Sequence, residues 1–334
     1  MTGLVKGFRD STEIQPPSAW VRQIVSIALR VAISGGLLWL VTHRLSAADV
    51  GERLARADLL DLGVAVIILV ALTIFAALRW RLVCQTAQCP VGRLEAWRIT
   101  MIANSLDQLL FTLSGDTFRI WWLSRRGPSI THAFCGTLLD RVLGVVALTV
   151  LISAALPFLL VLDNIGSLIW APALAALAGF GGLVVLLAFG SLPLPAFPLK
   201  GSLDMLSLIA RRLLLDPGRA LPALGLALVV HLGAVLAMAA IGAGIGAKIS
   251  LGWYLLVTPT VMMLTMLPIS VGGWGVREGA MVVGLGLAGL PTIDALLVSV
   301  LFGVCSTVIA LAGAVLWLFG LPEAEREVLW QGKK

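Results

Sequence analysis

The chain has 334 residues, 59% hydrophobic and 13% charged, with a formal net charge of +6. Soluble domains average roughly 25% charged residues, so this composition excludes an ordinary water-soluble domain. Lys and Arg are scattered between apolar runs rather than gathered in one patch, which excludes a nucleic-acid surface and fits orientation against anionic headgroups.

Residues 1–23 are polar and are expected to be a cytosolic N-terminal segment. The first apolar run starts near Ile24, and no small-residue cleavage site follows it, so no cleavable leader is expected. Residues 24–41 read as a first span, with Arg30 near enough to its end to snorkel. Residues 45–61 read as a short surface helix and 62–78 as a second span, closed by the interfacial group Arg79-Trp80-Arg81.

Residues 99–113 hold Asn104, Ser105, Asp107, Gln108 and Thr112. As a helix they reach about 22 Å, short of the roughly 30 Å hydrocarbon core. Arginines flank both ends, which predicts a re-entrant segment buried in protein rather than a span. Residues 142–162 and 168–192 carry no Asp, Glu, Lys or Arg and read as two spans joined by Asp163-Asn164-Ile165-Gly166. Pro193, Pro195 and Pro198 stop the helix. Leu203, Leu206, Ile209, Leu213 and Leu214 then recur opposite Asp204, Arg211 and Arg212, as in a helix lying in the membrane surface.

Residues 221–247 read as a fifth span. Residues 251–267 carry Pro259, a glycine-rich polar segment follows, and 279–290 reach only about 18 Å. Residues 295–321 read as the last span, and 322–334 as a polar cytosolic tail. The fold class is therefore all-α: a polytopic membrane domain over 24–321 with six to eight transmembrane helices and two broken or re-entrant segments.

With the N-terminus inside, only Arg44, Arg53, Arg56 and Lys248 fall in outer loops, and the cytosolic side keeps Arg79, Arg81, Arg93, Arg98, Arg125, Arg126, Arg211 and Arg212. That satisfies the positive-inside rule and predicts cytosolic termini at a bacterial-type inner membrane. The trios of spans at the two ends run in opposite directions, each with one interrupted segment. An inverted repeat with halves 24–162 and 168–321 is the corresponding expectation, with a site at its interface.

The chemistry-bearing residues fall on the interrupted segments, where an ionisable group is a functional candidate. Gly273 and Gly275 precede Arg277-Glu278. Backbone N–H groups at the helix start and the Arg277 guanidinium suit a lipid phosphate; the alternative is a hinge closed by an Arg–Glu cap. Asp116 and Arg119 share a helix face, as headgroup contacts or as a structural ion pair. Asn104, Asp107 and Gln108 line a polar cavity or join packed helices. Asp140 and Arg141 open a long span, as an interfacial cap or as part of a site, and being adjacent they need separate partners. His231 stands alone on an apolar helix, as an interhelical hydrogen-bonding group or as a proton relay. Trp20, Trp39, Trp80, Trp97, Trp253 and Trp317 read as interface belts, and Gly225, Gly233, Gly303 and Gly313 as close-packing positions.

No HExxH, Walker A or G-x-S-x-G motif occurs, so enzyme chemistry has no positive signature. Three scattered histidines and four cysteines without a CxxC pair give no metal, cofactor or disulfide expectation.

The segments Ser114-Gly115-Asp116-Thr117-Phe118-Arg119, Asp140-Arg141 with Gly144, and Gly272-Gly273-Trp274-Gly275-Val276-Arg277-Glu278 resemble the flippase-like membrane family, the transmembrane region of lysylphosphatidylglycerol synthases. The likeness runs from about Gln23 to Leu321. Relatives often carry Gly-Glu before the first arginine and a proline upstream, where this chain has Asp116 and Thr112-Leu113. The resemblance implies translocation of an anionic or amphipathic lipid, such as a phospholipid, glycolipid or polyprenyl-type lipid, without the soluble aminoacyl-transferase domain of the full synthases. Membrane lipids are then the expected partners, with lipid-biosynthesis enzymes beside them and no nucleic acid. The competing expectations are a membrane enzyme modifying a lipid headgroup and a non-catalytic subunit of a lipid or hopanoid biosynthesis complex.

Overall fold

The computed structural model describes residues 28, 32–37, 39, 40, 43, 46–109, 113–159, 170–193, 195, 197, 199–267 and 270–319. The expected terminal segments 1–23 and 322–334, the 163–166 connection, Thr112 and Pro268-Ile269 lie outside these residues. So does most of the first expected span, of which 32–37 and 39–40 are helical.

Eleven helices follow among the described residues. They are α1 (Ala47–Ala55), α2 (Leu59–Thr86), α3 (Arg93–Leu109), α4 (Ser114–Ser124), α5 (Ile130–Leu159), α6 (Trp170–Phe189), α7 (Lys200–Leu214), α8 (Pro217–Gly244), α9 (Leu251–Thr265), α10 (Val276–Gly286) and α11 (Thr292–Phe319). The protein is an all-α polytopic membrane domain: α2, α5, α6, α8 and α11 are each long and apolar enough to cross a bilayer.

Local chemistry sets the helix starts. Ser46, Asp58 and Asp216 accept hydrogen bonds from the N–H groups of Ala48, Leu60 and Gly218 at 3.1, 2.8 and 3.0 Å. Each satisfies a donor the helix cannot, and Pro217 adds a preset φ at the first position of α8. Helix α7 buries Leu206, Ile209, Ala210 and Leu213 and exposes Arg212. It folds back on the end of α6, where Arg211 Nε donates to the Leu187 carbonyl at 2.6 Å. A cation on the last carbonyls of a helix complements its dipole.

The short helices form two hairpins. In the first, α4 runs back along α3: Gly115 packs against the Ala103 backbone, while Trp122 Nε1 and Arg126 both reach Glu95 near the start of α3. In the second, Gly273 at the tip faces Thr265, and Gly284 near the end of α10 packs on Val257 at the middle of α9. Each hairpin returns to the side it entered from. The re-entrant helix of the first is longer than the sequence suggested, starting at Arg93 rather than near Ile99. The cause is amphipathic: Arg93 stays exposed while Ala96 and Ile99 turn inward.

Helices α2 to α5 have 28, 17, 11 and 30 residues, and α8 to α11 have 28, 15, 11 and 28. The same order therefore occurs twice. Its two occurrences run in opposite senses. Asp58 N donates to Gly244 O at 2.8 Å, so the start of α2 meets the end of α8, and Gly233 meets Leu72 where the two helices cross. The α3–α4 hairpin follows α2 and the α9–α10 hairpin follows α8, so they enter from opposite faces.

The packing matches on both sides. Helix α3 lies antiparallel to α11 (Met101 by Gly313, Gln108 by Thr307), as α9 lies antiparallel to α5 (Gly252 by Phe158, Met266 by Gly144). Gly233, Gly303 and Gly313 are close-approach positions, but a Cβ on Gly225 would meet nothing, so that glycine is not one.

Candidate functional site

The first hairpin carries an alternating chain of charges. Arg79, in α2, forks onto Asp140 with Nε–Oδ1 at 2.7 Å and Nη2–Oδ2 at 3.1 Å. Arg119 Nη1 stands 3.5 Å from the same carboxylate and 3.8 Å from Asp116. Asp116 is bound more closely by Arg141 Nε, and Arg141 Nη2 lies 3.8 Å from Asp107. Asp107 ends the chain by accepting the Gly115 N–H at 2.9 Å, capping α4 from its hairpin partner. Arg119 is also stacked 5.1 Å over Trp80. Three guanidinium and three carboxylate groups alternate, so each buried charge has a neighbour of the opposite sign.

The second hairpin is tighter. Gly272, Gly273 and Gly275 have φ of 56°, 80° and 85°, values that side-chain-bearing residues rarely adopt. Gly275 also lies against Ser34 O and Leu37, and Val271 N donates to Ser34 Oγ at 3.0 Å. Glu278, 0% exposed, accepts from Gly275 N at 2.6 Å, from Arg277 Nη2 at 2.6 Å and Nε at 3.0 Å, and from Ser299 Oγ at 3.1 Å. The Arg277 guanidinium lies over Trp274 at 4.8 Å and Phe302 at 5.8 Å. Asp116 and Glu278 are each the third residue of their helices, and each carboxylate bonds a guanidinium.

The helix start that the sequence offered to an outside anion, at α10, is thus taken by Glu278 of the chain itself, and the start of α4 is likewise taken by Asp107. Arg277 is committed to Glu278, and Arg119 to Asp140 and Asp116. Asp140 and Arg141 do find separate partners, but they sit three turns into α5 rather than at its mouth, because that helix begins at Ile130. Trp80 is fully buried beside Arg119 and is not an interface anchor.

The hairpin tips meet. Gln108 Oε1 and O border Gly272, and Gln108 Nε2 donates to Thr307 Oγ1 at 3.0 Å. Beside them a crevice of about 340 Å³ is lined by Asn104, Asp107, Gln108, Thr73 and Ser306. Leu72, Val230 and Ser306 also line it, each at the middle of a 28-residue helix. The crevice therefore lies midway along these three helices. An apolar groove of about 720 Å³ runs along α6, α9 and α10, past Pro172, Val257, Val261, Gly275 and Val283.

The sequence profile of the lysylphosphatidylglycerol synthase TM region matches residues 27–313, and so takes in both hairpins and both charge clusters. The chain belongs to this family. No curated protein matches it. For this family member, membership places the chain among membrane proteins related to lipid modification or flipping.

Sequence reasoning gathered Asn104, Asp107 and Gln108, and the structure sets all three on one crevice. It missed Arg79, which reads as an interfacial cation because it follows an apolar run. The helix in fact continues to Thr86, so Arg79 lies inside it. It also missed Ser299 and Ser34, small hydroxyls in apolar helices with no sequence signal. Among the described residues no group of three or more His, Cys, Asp or Glu side chains is arranged to hold a metal ion.

Proposed function

We propose that this protein moves lipids between the leaflets of a bacterial-type inner membrane, with both termini in the cytosol. The observation that supports this most is the crevice midway along α2, α8 and α11, where Asn104, Asp107 and Gln108 stand among apolar side chains beside the meeting hairpin tips. A polar cavity at the midplane between oppositely oriented hairpins is the arrangement of alternating-access transporters. The headgroup passes Asn104, Asp107 and Gln108, with Arg141 behind Asp107, while its chains stay in lipid or in the apolar groove. The two occurrences of the helix order form an inverted repeat, with halves 24–162 and 168–321 that rock about the α2–α8 crossing.

In this reading Gly273, Gly275, Arg277 and Glu278 stiffen the second tip, while Asp140 and Arg119 anchor Asp116, and Asp116 holds Arg141 beside Asp107 of the crevice lining. The cargo is a phospholipid, glycolipid or polyprenyl-type lipid, supplied by lipid-biosynthesis enzymes of the same membrane. The test is scrambling of headgroup-labelled lipids of these three classes in reconstituted vesicles. Asn104→Trp fills the crevice and should slow scrambling tenfold or more. Val184→Trp, on the exposed face of α6, should leave the rate unchanged. Equal rates for Asn104→Trp and the parent, or no movement of any class by the parent, would refute the reading.

A further inference from the structure

The crevice beside the hairpin tips carries charge of one sign. Among the described residues that line it, Asp107 is the one ionisable group, and no cation joins it. Arg119 is committed to Asp140 and Asp116, Arg277 to Glu278, and Arg141 is bound by Asp116 behind Asp107. None of these three arginines lines the crevice.

The polar atoms still open in the lining are mostly acceptors. Asp107 Oδ1 takes the Gly115 N–H at 2.9 Å, but Oδ2 lies 3.8 Å from Arg141 Nη2, beyond hydrogen-bond reach. Gln108 gives Nε2 to Thr307 and keeps Oε1 without a donor among the described residues. The side chains of Asn104 and Ser306 have no hydrogen-bond partner among the described residues. Leu72, Val230 and Ile309 supply an apolar wall.

We propose that the headgroup taken by this crevice is uncharged and rich in hydroxyl groups: that of a glycosyl lipid, not of a phospholipid or a polyprenyl phosphate. The inference rests on the translocation reading and narrows its cargo. Hydroxyl groups both donate and accept. They give to Asp107 Oδ2 and Gln108 Oε1 and take from Asn104 Nδ2, while Ser306 Oγ does either. The C–H faces of a sugar ring suit the apolar wall. A crevice of about 340 Å³ is at the small end of ligand sites, which begin at roughly 300 Å³, and so suits one such ring.

A phosphate has the opposite needs. It only accepts, so Asp107 Oδ2 and Gln108 Oε1 oppose it, and its charge would leave water for a wall without a cation. An unpaired ion out of water costs far more than a hydroxyl group does. Like charges side by side add to that cost. An ammonium group would meet the carboxylate, but in aminophospholipids it is joined to the phosphate that the crevice turns away.

The experiment compares three lipids with the same acyl chains and the same fluorescent label on one chain: glucosyldiacylglycerol, phosphatidylglycerol and phosphatidylethanolamine. The full-length protein is reconstituted in phosphatidylcholine vesicles, and dithionite quenching gives each transbilayer rate above that of protein-free vesicles. The glucosyl lipid should move at least about tenfold faster than either phospholipid. Asp107→Asn keeps a carbonyl for the Gly115 N–H and removes the charge, so it should bring the phosphatidylglycerol rate up toward the glucosyl rate. Asn104→Leu should lower the glucosyl rate and shrink the same ratio, whereas a merely structural loss would slow all three lipids alike. Phosphatidylglycerol moving as fast as the glucosyl lipid in the parent protein would overturn the proposal and leave translocation standing. Fast phosphatidylethanolamine beside slow phosphatidylglycerol would overturn it too, in favour of an ammonium group. Movement of none of the three would sink the translocation reading and this inference with it. The parent rates decide these outcomes even if a variant does not fold.

Discussion

The Arg277–Glu278 pair allows a quantitative test of how the second hairpin is held. Glu278 is wholly buried and Arg277 nearly so, so solvent screens neither. In Arg277→Ala the carboxylate keeps only Gly275 N and Ser299 Oγ, losing two guanidinium bonds and the stack on Trp274. Removing one member of a buried pair costs about 3–5 kcal/mol, because the remaining charge is uncompensated. Glu278→Gln strands the guanidinium instead and should cost about as much. The double variant Arg277→Met/Glu278→Gln strands no charge. Its glutamine carbonyl still caps Gly275, and the expected cost is about 1–2 kcal/mol, the difference between a charge-assisted and a neutral cap. Reversible unfolding in mixed detergent and dodecyl sulfate micelles, followed by tryptophan fluorescence, gives the three values for comparison. A double variant as costly as the two single changes together would refute the reasoning, as would an Arg277→Ala loss under about 1 kcal/mol.

Two further outcomes follow from packing and from thiol chemistry. Gly313→Ala would drive a methyl group into the Met101 carbonyl and Ser105 Oγ, forcing α3 and α11 apart, for a loss of about 1–3 kcal/mol. Gly225→Ala meets open space inside a helix and should instead gain up to about 1 kcal/mol; opposite shifts of the thermal midpoint check the pair. Burial pushes the Cys89 thiol, in the connection after α2, up to about 11. At pH 8 only about a thousandth of it is thiolate, so maleimide should label native Cys89 roughly a hundredfold more slowly than a free thiol. Mass spectrometry before and after denaturation reads this, and labelling of the native protein at the free-thiol rate would contradict it.

How much of this was legible in the chain depends on how far each cause reaches. Long apolar runs such as the one centred on Leu72 have one stable fate, a membrane-crossing helix, and hydropathy marks them without reference to any neighbour. The polar residues of α3 and the glycines before Arg277 likewise announced interrupted segments, because unusual composition and tight turns are local properties. Partners are different. Asp140 is next to Arg141 in sequence yet bonds Arg79, sixty-one positions away. Whether Arg277 awaited a ligand or closed on its neighbour depended on the rotamer that Trp274, Phe302 and Ser299 allow.

The amino-acid order therefore determined the class, the crossings and the two breaks, since transfer of apolar side chains into lipid is nearly additive along a helix. Tertiary packing alone decided that the tips meet, that Asp107 and Glu278 occupy the helix starts, and that Arg79 and Asp140 find each other. Those outcomes depend on distances of three to four ångströms between segments far apart in the chain. Only the antiparallel crossing of α2 and α8 and the helices packed about it bring such segments together.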